Sequence, residues 1–205
     1  MAAYLGGYLL AYPLASARLD DAPAATTVET VEGTVTAAEL LATADVSVAG
    51  WQSVGWLFYN ARFVSVQLPG PEVGRAVEAT NLLTSTGGLL SLLLLVPALA
   101  LIAAGAMATR DVAVTRNLRY DVGTGGTRYA LNGGLVTMLG YMPLALLGTF
   151  VFTHGYLGAD GPSTFGGWVV AGGIYPLVYG GLGGYPGRRF ADVEDRSTEG
   201  RETGW

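Results

Sequence analysis

The chain has 205 residues, 51% of them hydrophobic and 13% charged, with a formal net charge of -5, no Cys and one His. A mean hydropathy of +0.41 leaves too few charges to cover a soluble surface, and so points to a membrane protein. The acidic balance argues against nucleic acid, whose phosphates need a basic face, and the missing Cys excludes disulfides, thiolate metal sites and Cys nucleophiles.

All eleven basic residues are Arg, and the sixteen acids lie almost entirely between the apolar runs. Water-exposed parts of such a chain are carboxylate-rich, which suits the concentrated salt of a salt-loving cell, where screening tames their repulsion. The expected fold is all-α: a four-helix transmembrane bundle with an additional interfacial amphipathic, aromatic helix. A single membrane domain covers 1–185, with spans at about 1–17, 87–108, 131–153 and 165–185.

Residues 1–17, MAAYLGGYLLAYPLASA, are apolar and uncharged and just reach the length of about 17 residues that a spanning helix needs. A secretory signal peptide is the rival reading, since Ala15-Ser16-Ala17 looks like a cleavage site. A retained span is preferred because no Arg or Lys precedes the run and Tyr4, Tyr8 and Tyr12 fall on one helical face. From Arg18 to Ala49 the chain carries Asp20, Asp21, Glu29, Glu32, Glu39 and Asp45, and belongs to an external segment, 18–86. Val28, Val31, Val35, Ala38 and Leu41 predict an amphipathic helix there, with a hairpin turning at Glu32-Gly33 as the alternative.

Residues 50–66, GWQSVGWLFYNARFVSV, form the one apolar run that is not a clean span. As a helix it gathers Gln52, Ser53, Asn60 and Gln67 within about 100° of arc, opposite Trp51, Val54, Phe58 and Ala61. Trp51, Trp56, Tyr59 and Phe63 are residue types that settle at a membrane–water boundary. An interfacial or re-entrant helix is expected; a fifth span and a buried helix of an external subdomain are the alternatives. Arg62 interrupts the aromatic run, and the sequence alone favours a side chain snorkelling to water over one paired with a carboxylate or lipid headgroup.

Leu68-Pro69-Gly70-Pro71 ends that helix. Residues 87–108 are uncharged over about 33 Å of helix, the strongest span in the chain, and Ala100, Ala104 and Ala108 offer a flat face for close approach. Gly123-Thr124-Gly125-Gly126 lacks the preceding strand and the Lys-Ser/Thr of a phosphate loop, and is expected to be a turn. The third and fourth spans follow, the fourth rich in Gly, with the 180–184 stretch predicted to pack closely against a neighbour. The tail, 186–205, is of mixed charge and expected to be disordered and cytoplasmic.

Arg110, Arg116, Arg119 and Arg128 lie in the 109–130 link and four more Arg in the tail, whereas 154–164 has none. Basic residues stay in the cytoplasm, so the link and both termini are expected inside and 18–86 outside, in the cell membrane. Each predicted span carries one proline, Pro13, Pro97, Pro143 and Pro176, a kink that membranes tolerate where protein re-satisfies the freed carbonyl. No span contains Asp, Glu, Lys, Arg or His, which argues against a proton-coupled pump. His154 has neither a second His nor a carboxylate within three residues, so it is expected to be an ordinary interfacial side chain.

No catalytic, cofactor-binding or metal-ligating residue is therefore expected, and no cofactor. The expected partners are the lipid bilayer and another membrane protein or a second copy of the chain. The leading functional expectation is a non-enzymatic packing or assembly partner in the cell envelope; the alternative is a small transporter or channel subunit for a neutral or apolar solute, with Tyr12, Asn132 and Tyr175 lining its path.

Val54 to Val64, VGWLFYNARFV, with Gly140-Tyr-Met-Pro-Leu144 and Ile174-Tyr-Pro-Leu-Val-Tyr-Gly-Gly181, resembles a family of uncharacterised haloarchaeal integral membrane proteins, some of them loosely labelled transporters. Where that motif would carry His, this chain has Arg62. The resemblance implies lineage and a multi-span topology and carries no established activity.

Overall fold

A computed structural model describes residues 1–17, 19, 21–30, 33–70, 76–79, 82–115, 125–153 and 160–185, and it is mostly helical. His154, residues 116–124 of the 109–130 link and the 186–205 tail lie outside the described residues.

Among the described residues, three helices are long and apolar enough to cross a membrane. They are Leu90–Thr109 within α6 (Leu95–Thr115 and the 3-10 turns Gly88–Leu94 before it), Ala130–Val151 within α7 (Gly125–Val151), and α8 (Thr164–Tyr185). The run at 1–17 is also helical, as α1 (Ala2–Ser16), but its 15 residues reach only about 22 Å. The backbone nitrogen of Met1 lies against Gly140, midway along the apolar run of α7, and Tyr8 stacks on Phe152 at the end of α7, so α1 flanks only that C-terminal half. Its buried stripe is Tyr4, Gly7, Ala11 and Ala15; of the three tyrosines expected on one face, Tyr4 is buried, while Tyr12 is exposed with its ring edge against Tyr8.

Glycine sets how closely α6 and α8 approach. A side chain at Gly105 would run into the Gly180 carbonyl, and one at Gly183 into the Ile102 carbonyl. On the other flank of α8, a Cβ at Gly134 would stand 2.6 Å from the Leu177 carbonyl oxygen. The 180–184 stretch thus packs closely, as its composition predicts. On α6 the tight face is Leu101, Gly105 and Thr109, all buried, rather than Ala100, Ala104 and Ala108, which are half-buried.

Prolines leave visible marks at two places. The eight residues Gly167–Ile174 of α8 wind as a π-helix immediately before Tyr175-Pro176, and the Tyr175 N–H reaches back to the Val170 carbonyl. Pro176 donates no hydrogen bond and its ring crowds the carbonyl four residues back, so a wider upstream turn relieves that crowding. The 3-10 turns Gly88–Leu94 precede Pro97 in the same way, whereas Pro13 and Pro143 sit inside continuous helices.

The remaining elements form a small mixed layer. After α2 (Asp21–Ala25), β1 (Thr27–Thr30) and β2 (Gly33–Thr36) pair antiparallel with Thr30 opposite Gly33. The hairpin, not the single amphipathic helix, occupies this region, because β-branched Val and Thr favour strand and Gly33 takes a positive φ of 135° at the turn. Next, α3 (Ala37–Thr43) starts with a capping box in which Thr36 Oγ1 accepts from the Glu39 N–H while Glu39 Oε2 accepts from the Thr36 N–H at 2.8 Å. That backbone N–H, and then the Thr36 hydroxyl, holds the Glu39 carboxyl below the usual carboxylate range. With the folded pKa depressed, the contribution is present above the unfolded value and is lost as pH falls through the folded one.

Then come α4 (Gly50–Asn60), β3 (Val66–Pro69), β4 (Ala76–Ala79), α5 (Leu82–Thr86) and, between α7 and α8, β5 (Gly161–Pro162). β3 is the central strand of a three-stranded antiparallel sheet, β4-β3-β5, with Val66 opposite Ala79 on one side and Pro162 on the other. Strand β5 thereby ties the start of α8 to the end of the segment that carries α4.

Candidate functional site

The expected interfacial helix is instead the buried centre of the molecule. α4 has 11 residues, about 16 Å, too short for a fifth span, and every residue from Val54 to Asn60 is buried. Both of its faces are covered, because its polar groups are satisfied by backbone rather than by water. Gln52 Nε2 donates to the Thr153 carbonyl at 3.2 Å, and Trp56 Nε1 to the Phe152 carbonyl at 2.7 Å. Asn60 Oδ1 accepts from the Leu83 N–H at 3.1 Å, pinning α5 to the end of α4. Gln67, drawn on the same helix face from the sequence, lies in β3. Of the aromatic residues expected at a membrane boundary, Trp56 and Tyr59 are buried, while Trp51 and Phe63 are exposed.

The helix ends in a left-handed stop. The Phe63 N–H donates to the Asn60 carbonyl, the Val64 N–H to the Tyr59 carbonyl, and Phe63 takes a φ of 60°. A bulky residue in that conformation is strained, and the ring is left 69% exposed. The turn directs the preceding residue, Arg62, inward.

Arg62 is 0% exposed. Its guanidinium carbon lies 3.9 Å from the centroid of the Phe58 ring, 4.6 Å from Tyr59, 5.5 Å from Tyr4 and 5.6 Å from Tyr141. Nε donates to the Phe58 carbonyl at 3.0 Å and Nη1 to the Tyr141 hydroxyl at 2.9 Å, while Nη2 has no hydrogen-bond partner among the described residues. Arg62 makes no ion pair among the described residues. This corrects the expectation of a snorkelling or carboxylate-paired side chain: ring quadrupoles, not water or an anion of the chain, face this cation.

Three helices build the box. Phe58 and Tyr59 lie one turn before Arg62 on α4, Tyr4 comes from α1, and Tyr141 is midway along the apolar run of α7. The Tyr4 and Tyr59 hydroxyls are 3.0 Å apart, and Tyr59 donates to the Ala145 carbonyl. Both hydroxyls come so close to α7 at Gly148 that any side chain there would overlap them. Phe63 leans toward Tyr175 of α8, whose ring stacks on Tyr179 with centroids 4.4 Å apart. The box is therefore a junction of α1, α4 and α7, with α8 at its edge.

Of the residues expected to line a solute path, Tyr12 and Asn132 are exposed and Tyr175 is buried. No group of three or more His, Asp or Glu gathers among the described residues. Sequence reasoning singled out Arg62 without placing it; the available signal was the spacing Phe58, Tyr59, Arg62, which stacks a cation over rings one helical turn away. Tyr4 and Tyr141 carry no local signal, since only the packing of distant helices brings them to Arg62. No curated protein and no solved structure matches the chain. Its residues 1–189 match the model of DUF7978, described as a family of unknown function, and the chain belongs to that family.

Proposed function

We propose that the chain is a multi-pass protein of a haloarchaeal cell membrane that serves as a non-enzymatic packing or assembly partner, for another membrane protein or for a second copy of itself. The observation that carries this reading is the closed interior. Glycine-to-carbonyl contacts join α6, α7 and α8, and aromatic rings fill the space between α1, α4 and α7. What the bundle offers is its outside. Leu131, Leu135 and Leu139 are exposed along one stripe of α7 beside the polar Asn132, and a small apolar recess of about 30 Å³ opens among Leu19, Leu41, Val48, Trp56 and Leu82.

In this reading α6, α7 and α8 are full spans and α1 is the fourth helix of the bundle, covering half its depth, while α4 is a re-entrant helix rather than one lying on the surface. The Arg-rich 109–130 link and tail face the cytoplasm, and the N-terminal end of α1 points to the same side. The mixed layer with its hairpin and β4-β3-β5 sheet is then external. Single Cys substitutions test this in cells with an impermeant thiol reagent. Ser85→Cys and Ser163→Cys are expected to label, Thr124→Cys and Ser197→Cys not to; the reverse pattern overturns the orientation.

One observation favours the competing reading of a small transporter subunit for a neutral or apolar solute: the π-helical stretch of α8 before Pro176 is the kind of irregularity that transporters place at a gate. The two readings part experimentally. A photo-reactive probe on Leu139→Cys is expected to give one discrete crosslinked species in native membranes, and vesicles holding the purified chain no more solute flux than empty ones. Flux without a crosslinked species would replace the partner reading with transport.

A further inference from the structure

Hydrogen-bond donors outnumber acceptors in the aromatic box. Arg62 Nε is satisfied by the Phe58 carbonyl and Nη1 by the Tyr141 oxygen. The Tyr59 proton goes to the Ala145 carbonyl, which leaves Tyr4 to donate to Tyr59. Tyr141 thus accepts from Arg62, and among the described residues neither the Tyr141 proton nor the Nη2 protons of Arg62 meet an acceptor. Charge is unbalanced in the same place: a fully buried guanidinium makes no ion pair among the described residues. Ring faces offset part of the desolvation of such a cation, but they accept no hydrogen bond in the plane of the guanidinium, where Nη2 points its donors.

We propose that Arg62 and Tyr141 form the binding site of one small monovalent anion of the halide class, held by Arg62 Nη2 and the Tyr141 hydroxyl. A single negative charge there meets both deficits at once, since it neutralises the guanidinium and accepts from both unassigned donors. Complete enclosure selects a small, monatomic-sized anion over a carboxylate-bearing metabolite or a lipid headgroup. Because the donors come from α4 and α7, the bound anion fastens the re-entrant helix to a membrane-length one, and stability of the bundle becomes linked to halide concentration.

The test uses the purified full chain in detergent micelles, in gluconate buffer at fixed ionic strength, with chloride or bromide replacing gluconate stepwise. The unfolding midpoint is expected to rise and saturate, and equilibrium dialysis with radioactive chloride to reach one ion per chain. Tyr141→Phe keeps the ring and removes one charge-assisted donor, so it should weaken halide binding about tenfold. Arg62→Met should abolish the halide response, and if that variant does not fold, Tyr141→Phe still decides. A midpoint indifferent to replacing gluconate by halide, or an equal halide response in Tyr141→Phe and the native chain, overturns the proposal.

Discussion

Truncation of Arg62 to Ala is expected to destabilise the folded chain by about 3–5 kcal/mol, whereas Arg62→Met should stay within about 1–2 kcal/mol of the native chain. Two opposing effects decide the outcome. Removing the guanidinium relieves a buried charge that has no carboxylate partner among the described residues, which favours either variant. Ala also leaves a void among Tyr4, Phe58, Tyr59 and Tyr141 and frees the Phe58 carbonyl and the Tyr141 hydroxyl from their donor. A void ringed by four aromatic side chains held by other contacts collapses poorly, so the cavity cost dominates. Met refills most of that volume and makes favourable contacts with ring edges. Arg62→Lys is the third member of the series: it keeps the charge but lacks the planar fork that serves Phe58 and Tyr141 together, and should fall between the other two. Denaturant unfolding in micelles, followed by circular dichroism, ranks the three, and an Ala variant as stable as Met would show that Arg62 is not packed in the box.

Gly105→Ala is expected to cost about 2–3 kcal/mol through separation of α6 from α8, although it adds only a methyl group. Its Cβ would occupy space held by the Gly180 carbonyl, and backbone cannot turn aside as a flexible side chain can. Gly183→Ala meets the Ile102 carbonyl at the same crossing, so the two substitutions together should cost less than their sum, because the first already forces the helices apart. Gly6→Ala is the control. No atom lies within 4 Å of its added Cβ, and the higher helix propensity of Ala should raise stability by about 0.5–1 kcal/mol. Equal losses at Gly6 and Gly105 would mean that helix propensity, not close approach, governs both.

How far the fold is legible from the sequence differs sharply along the chain. The helices at 90–109, 130–151 and 164–185 were expected within a few residues of where they lie, because a long uncharged apolar run has few other uses. The close packing at Gly180–Gly184 follows from composition as well. In the stretch 27–36, helical spacing of Val competed with the β preference of Val and Thr and the turn at Gly33, and local chemistry alone left both open.

α4 marks the limit. Its alternating polar and aromatic residues predicted that it would leave bulk water, while a fifth span stayed open until the short helix Gly50–Asn60 removed it. They implied one wet face and one greasy face, because a polar side chain in a sequence carries no label for its partner. In the structure Gln52 finds the Thr153 carbonyl just beyond α7, Asn60 a backbone group of α5, and Arg62 four rings from three helices. Sequence by itself determined which segments are apolar, where glycine permits close approach, and that one arginine sits in an aromatic run. Tertiary structure alone decided that this arginine is the centre rather than the rim, since burial of a charge depends on whether distant residues can surround it, and that is a property of packing, not of neighbours along the chain.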